Sequence, residues 1–272
     1  MLGVCEYFLY TVGMASFESN PNAAMPDEEK DISVLWTENM VKELREPTQR
    51  IMEKLSPALE SGEIQLIVGD DASGRIPTAI FRKIFDLAYK ERGFTTPETR
   101  FIAGSRELQG EEKQTKKEKI AEYLERVKKD VEKKFRQPLK NALIVTDIIH
   151  TGKSLDPLIE ALNEMGVRIT IVSIGIFSGQ RKLGEKEDRW HAQVFCGGFG
   201  TPSVYGELSN AGVSKKTEDL FSKPIKGANG INDEKDEARV QKKINKSREI
   251  SSIVAEEIYE KWKSFHSQKD KK

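Results

Sequence analysis

The stretch TDIIHTGKSL, residues 146–155, gathers groups able to handle a charged small molecule. Asp147 brings a carboxylate. His150, one of three histidines in the chain, brings an imidazole that exchanges protons near neutral pH. Thr151, Gly152, Lys153 and Ser154 then supply two hydroxyls, a glycine and a cation within one turn. The first N–H groups of a helix have no partner inside it, and with hydroxyls beside them they bind anions, phosphate above all. Glycine lets the backbone approach the phosphate oxygens closely. Asp147, a sugar's length from that turn, suits vicinal hydroxyls or a magnesium shell. Phosphate at one end and a polyol at the other describe a sugar phosphate. The Gly-Lys-Ser sequence does not make a nucleoside-triphosphate loop, because that motif needs a glycine where this chain has Asp147.

Such a turn must be held between a strand and a helix. The apolar residues Ala142–Val145 precede it within NALIVTDII (141–149), and the helical pattern PLIEALNEMG follows, ending at Gly166. Three further strand runs are IQLIVG (64–69), RFIAG (100–104) and VRITIVSIGIF (167–177). Between them, Pro77 and Gly93 bracket one helix. Ile120, Leu124, Val127, Val131 and Phe135 recur at helical spacing in another. An amphipathic pattern also runs from 34 to 60 through Val41, Leu44, Ile51 and Leu55, with Pro47 and Pro57 expected to interrupt it. Strands alternating with helices imply an α/β fold with a parallel, Rossmann-like sheet covered on both faces. Ligands of such sheets bind beyond the carboxyl ends of the strands. The loops at 70–75, 105–117 and 146–154 all leave from those ends.

Composition limits the partners. The chain has 272 residues, 37% hydrophobic and 32% charged, with a formal net charge of zero. No global basic field points to nucleic acid. Cys5 and Cys196 make neither a disulfide framework nor a metal quartet, so a reducing cytosol is the expected compartment. The apolar opening MLGVCEYFLYTVGMASF lacks a basic start, contains Glu6 and is too short to span a bilayer, so no membrane partner is expected. The reading divides the chain into a leader (1–30), a main domain (31–225) and a linker with a charged amphipathic helix (226–272). In that tail Ile250, Val254, Ile258 and Trp262 form an apolar stripe that would dock on the domain or on a second copy, as a homodimer.

The segment ALIVTDIIHTGKSL resembles the signature of type I phosphoribosyltransferases, in its hypoxanthine-guanine branch most of all. There an apolar strand leads into two acidic residues, two apolar residues, a variable position and Thr-Gly-x-Ser/Thr. The resemblance implies a Rossmann-like sheet of that kind with a small hood, and transfer of 5-phosphoribosyl from PRPP to a nitrogenous base, with magnesium present and pyrophosphate released. It implies that Thr146 and Asp147 meet the ribose hydroxyls, that Thr151, Gly152, Lys153 and Ser154 hold the 5′-phosphate, and that Asp147 touches the magnesium carried by PRPP. LIVGDDASGRIPTAI is similar to the family's pyrophosphate loop, which assigns Asp71, Ala72, Ser73, Gly74 and Arg75 to the leaving group. The connection 105–117 stands where the family has a mobile flap. Motifs of this kind are confined to two short segments of residues 60–180.

Two positions depart from the pattern. Thr146 replaces the first acidic residue and keeps a hydroxyl without the charge. His150 stands at the variable position, acidic in the hypoxanthine-guanine branch, and a neutral imidazole there can accept a proton from an incoming base. Asp147 and His150 are therefore the catalytic candidates. A non-catalytic protein that binds PRPP or a nucleotide and keeps only the phosphate cradle is the alternative. Outside the motif, Asp70 and Asp71 read as a polar turn and Lys113, Lys116 and Lys117 as a solvated face. Trp190, Phe195, Phe199 and Tyr205 read as buried aromatics with base stacking as the sharper option.

Overall fold

Continuous runs of Val, Ile and Leu bounded by turn residues make strands buried on both faces. Three such runs form the centre of a parallel sheet whose two edge strands are poorer in apolar residues and only partly buried. The computed structural model describes residue 39 and residues 41–70, 74–103, 110–176, 181–198, 213–214, 223–224 and 234–269. The sheet contains β1 (Leu66–Asp70), β2 (Glu98–Ile102), β3 (Asn141–Ile149), β4 (Arg168–Ile176) and β5 (Gln193–Cys196) in the order β2-β1-β3-β4-β5. All four neighbour pairs are parallel, with Gly69 opposite Val145 and Thr146 opposite Ser173. The helices are α1 (Arg45–Ser61), α2 (Arg75–Glu91), α3 (Gly110–Phe135), α4 (Asp156–Glu164), α5 (Arg181–Trp190) and α6 (Glu234–Lys269). A short antiparallel pair, β6 (Val213–Ser214) and β7 (Lys223–Pro224), stands apart from the sheet.

Alternation along the strands builds two cores. Leu143 and Val145 of β3, with Ile67, Val172 and Ile174, meet α1, α2 and α6 on one face. Ala142 and Ile144, with Leu66, Val68, Ile169 and Ile171, meet α3, α4 and α5 on the other. The result is a three-layer, Rossmann-like α/β architecture. Each fully buried aliphatic side chain contributes about 1.5–3 kcal/mol of transfer free energy. The tail stripe closes the first core: Ile250, Val254, Ile258 and Trp262 are all buried. Trp262 donates its indole N–H to Ser56 of α1 at 2.7 Å, and Tyr259 donates its hydroxyl to Glu91 of α2 at 2.7 Å. The helix therefore docks on its own domain, through an apolar seam with polar anchors at both neighbours.

Five expectations need correction. Pro57 lies inside α1 without breaking it. The carbonyl that this proline deprives of a partner belongs to Glu53, and both residues face water. Pro47, likewise expected to interrupt, sits in the first turn, where a missing N–H costs nothing. Residues 110–117 are the opening turns of α3 rather than part of an irregular connection. Glu111 and Glu112 favour that start through the helix dipole. Lys116 is buried rather than solvated, and Lys117 is tied to Glu160 and Glu164 of α4, which raise its pKa. The linker, expected over 226–236, gives way to α6 at Glu234. The leader 1–30, residues 105–109, Phe199 and Tyr205 lie outside the described residues. Among the described residues no helix is long and apolar enough to cross a membrane.

Candidate functional site

The strand order reverses between β1 and β3, since β2 lies to one side of β1 and β4 and β5 continue beyond β3. At such a reversal the connections run to opposite faces of the sheet and leave a crevice at the carboxyl ends of the two strands. Asp70 ends β1, and Thr146 and Asp147 lie in the last turnings of β3, so the crevice is walled by these residues. Thr146 lies one position beyond the last matched pair, Gly69 and Val145. Its hydroxyl reaches across to Asp70 Oδ2 at 3.4 Å. Both residues are buried.

Asp147 is also buried, and its Oδ1 accepts the N–H of Ile148 at 2.6 Å. One of its oxygens thus fixes its own strand end, as a turn-capping aspartate would. Its carbonyl is braced from β4: the Ser173 hydroxyl lies 3.3 Å from Asp147 O and 2.6 Å from Gly175 O. Beyond β3, His150 and Thr151 are exposed.

The Thr151–Ser154 turn follows. Gly152 has φ +76°, a left-handed conformation that side chains resist. Its carbonyl accepts the Leu155 N–H at 2.9 Å, and the Thr151 hydroxyl takes the Lys153 N–H in a long 3.4 Å contact. Lys153 is exposed and Ser154 half-buried. Helix α4 then starts with Asp156 and Pro157 in its first turn. Trp190 of α5, 2% exposed, lies on Gly152, so that a Cβ there would stand 2.4 Å from the indole. Trp190 is therefore a packing residue on the turn and not a base-stacking surface.

Gly74, beyond β1, packs against the same strand ends. Gly74 donates its N–H to Asp70 O at 2.6 Å, and a Cβ at this position would lie 2.6 Å from the carbonyl oxygens of both Asp70 and Val145. Only glycine admits so close a passage between two strand ends. Arg75, the first residue of α2, follows at once, with its guanidinium 5.8 Å from the ring centre of Phe101 on β2. Asp71, Ala72 and Ser73 lie outside the described residues.

The structure thus brings Thr146, Asp147, the Thr151–Ser154 turn, Gly74 and Arg75 to one end of the sheet. It adds residues that sequence reasoning missed as site members: Asp70, Ser173 and Lys186. Asp70 carried a signal, a carboxylate at the end of an apolar run, but was read with the turn beyond it. Ser173 and Lys186 carried none, since their partners are 26 and 35 residues away.

Among the described residues no cluster of three or more acidic, histidine or cysteine side chains forms a metal cage. Magnesium commonly binds through one or two carboxylates and substrate phosphates instead. Asp147 is the carboxylate here that fits such a mode, with Asp70 behind it through the Thr146 hydroxyl. Comparison with known proteins adds no relative: no family model, curated protein or solved structure matches the chain.

Proposed function

We propose that the chain is a phosphoribosyltransferase of the type I kind, passing 5-phosphoribosyl from PRPP to a nitrogenous base, a nucleobase, with release of pyrophosphate. One observation carries the reading. A carboxylate late in β3, followed by a Thr-Gly-Lys-Ser turn and a helix, stands at the reversal of a parallel sheet, with Gly74 packed against the neighbouring strand ends. A sugar phosphate joined to a diphosphate needs three such stations. Thr151–Ser154 would take the 5′-phosphate, Asp147 the ribose hydroxyls, and Gly74–Arg75 the leaving diphosphate.

The chemistry follows from those positions. The bond from the ribosyl anomeric carbon to the diphosphate oxygen breaks, the carbon gains oxocarbenium character, and a base nitrogen attacks it. Rate acceleration comes from positioning and from electrostatic support of the leaving group. The Arg75 guanidinium would screen the diphosphate. Magnesium held by Asp147 and the substrate's own oxygens would supply further charge neutralisation there. His150, exposed beside the turn, would accept the proton shed by the incoming nitrogen. Thr146 contributes its hydroxyl and couples Asp70 to the ribose side of the crevice.

The test is pyrophosphate release from PRPP with magnesium across purines, pyrimidines and orotate. Release with one class of base is the expected result. Tight PRPP binding without release for any base would replace the enzyme by a PRPP- or nucleotide-binding regulator.

A further inference from the structure

We propose that Lys186 is a positioning residue for the phosphate: from α5 it sets the Thr151–Gly152 peptide so that the Gly152 N–H is presented to an anion. The inference rests on the sugar-phosphate reading above. Lys186, Arg189 and Trp190 stand at i, i+3 and i+4, on one side of α5. Together they grip both ends of the turn. Lys186 Nζ donates to the Thr151 carbonyl oxygen at 2.9 Å. Arg189 Nη2 and Trp190 Nε1 both donate to Asp156 Oδ1, at 2.6 and 2.8 Å.

The C=O and N–H of one trans peptide unit point in opposite directions. Drawing Thr151 O towards α5 therefore aims the Gly152 N–H away from α5. The indole of Trp190 lies directly on Gly152, so the peptide cannot turn over without displacing a buried ring that Asp156 also holds. Lys186 is itself 9% exposed, and its ammonium lies 5.6 Å from the Trp190 ring centre. Burying an ammonium costs free energy unless it is paired, so a lysine is a costly choice where packing alone is required. A methionine would fill the same space. What lysine adds is a donor that orients the peptide and a positive charge one peptide away from where a phosphate would sit.

The experiment is calorimetric titration of ribose 5-phosphate into the parent chain, K186M, K186R and W190F, with thermal unfolding of each. K186M is expected to weaken binding about tenfold or more, the usual weight of a charged hydrogen bond, while unfolding near the parent temperature. K186R keeps donor and charge and should recover most of the affinity, which a merely space-filling role would not require. W190F removes the donor to Asp156 but keeps a ring on Gly152. It should weaken binding several-fold, and it provides the readout if K186M does not fold. Parent-like affinity in K186M, or in W190F where it stands in, overturns the proposal, as does K186R binding no better than K186M. A parent chain that binds no ribose 5-phosphate overturns the sugar-phosphate reading itself, before any substitution is compared.

Discussion

Replacing Gly152 with alanine probes the turn more sharply than any change to its polar groups. Two costs add. At φ +76° an L-residue is strained by about 1–2 kcal/mol. The new Cβ would also stand 2.4 Å from Trp190, and overpacking of this kind costs roughly 1–3 kcal/mol. The ring cannot swing aside cheaply, because its N–H is bonded to Asp156 at 2.8 Å and such charged bonds contribute about 1.5–3 kcal/mol. G152A should therefore lose about 2–5 kcal/mol, a large share of the stability of an ordinary domain. Gly166 supplies the control, with φ +72° and nothing within 4 Å of a Cβ, so G166A carries the backbone cost alone. Urea unfolding of the parent and both variants, with slopes compared, reads the difference. If G152A loses no more than G166A, Trp190 does not pack on the turn as described, and the clamp on the cradle fails with it.

Other outcomes follow from the same geometry. D147N should weaken magnesium–PRPP binding at least about tenfold, and D70N by less, since Asp70 acts through Thr146; calorimetry that finds D147N equal to the parent removes the ribose assignment. W262A, which deletes a 5%-exposed indole and its bond to Ser56, should cost about 3–5 kcal/mol on urea unfolding. A loss under about 1 kcal/mol would mean that α6 is not docked through this residue. Burial, aided by the Glu91 carboxylate, pushes the Tyr259 hydroxyl from its ordinary 10.0 up to about 12. Between those values the unfolded chain has lost that proton and the folded chain has kept it. Its contribution is thus fully present below about pH 10 and is lost as pH rises towards 12. Y259F should flatten that decline in unfolding experiments, and an unchanged slope would count against the Tyr259–Glu91 contact.

Much of this arrangement was legible in the residues, and the reasons differ by element. β3 matches the expected run from Asn141 to Ile149 because a strand buried on both faces leaves an unbroken apolar segment. Gly152 and Gly74 stood out as turn glycines, yet the atoms that forbid a Cβ there come from Trp190 and Val145, which no local pattern shows. Helix α5 escaped notice because RKLGEKEDRW is almost wholly charged. Its inward side is completed by the stem of Lys186, which serves as apolar surface while its head bonds to Thr151. The stripe on α6 announced a buried face, but periodicity cannot say what covers it. That answer lay with Ser56 and Glu91, more than 160 residues away in the chain. The partnership of Thr146 with Asp70 was hidden for the same reason: strand order, not spacing, makes them neighbours.

The central claim is that one end of this sheet holds a phosphoribosyl diphosphate. A crystal structure of the chain with PRPP and magnesium tests it most directly. The account predicts the 5′-phosphate on the Thr151–Ser154 turn, the ribose hydroxyls on Asp147 and the diphosphate beside Gly74 and Arg75. Density for the ligand anywhere else, or with its 5′-phosphate seated beside Arg75 instead of on the turn, would contradict it.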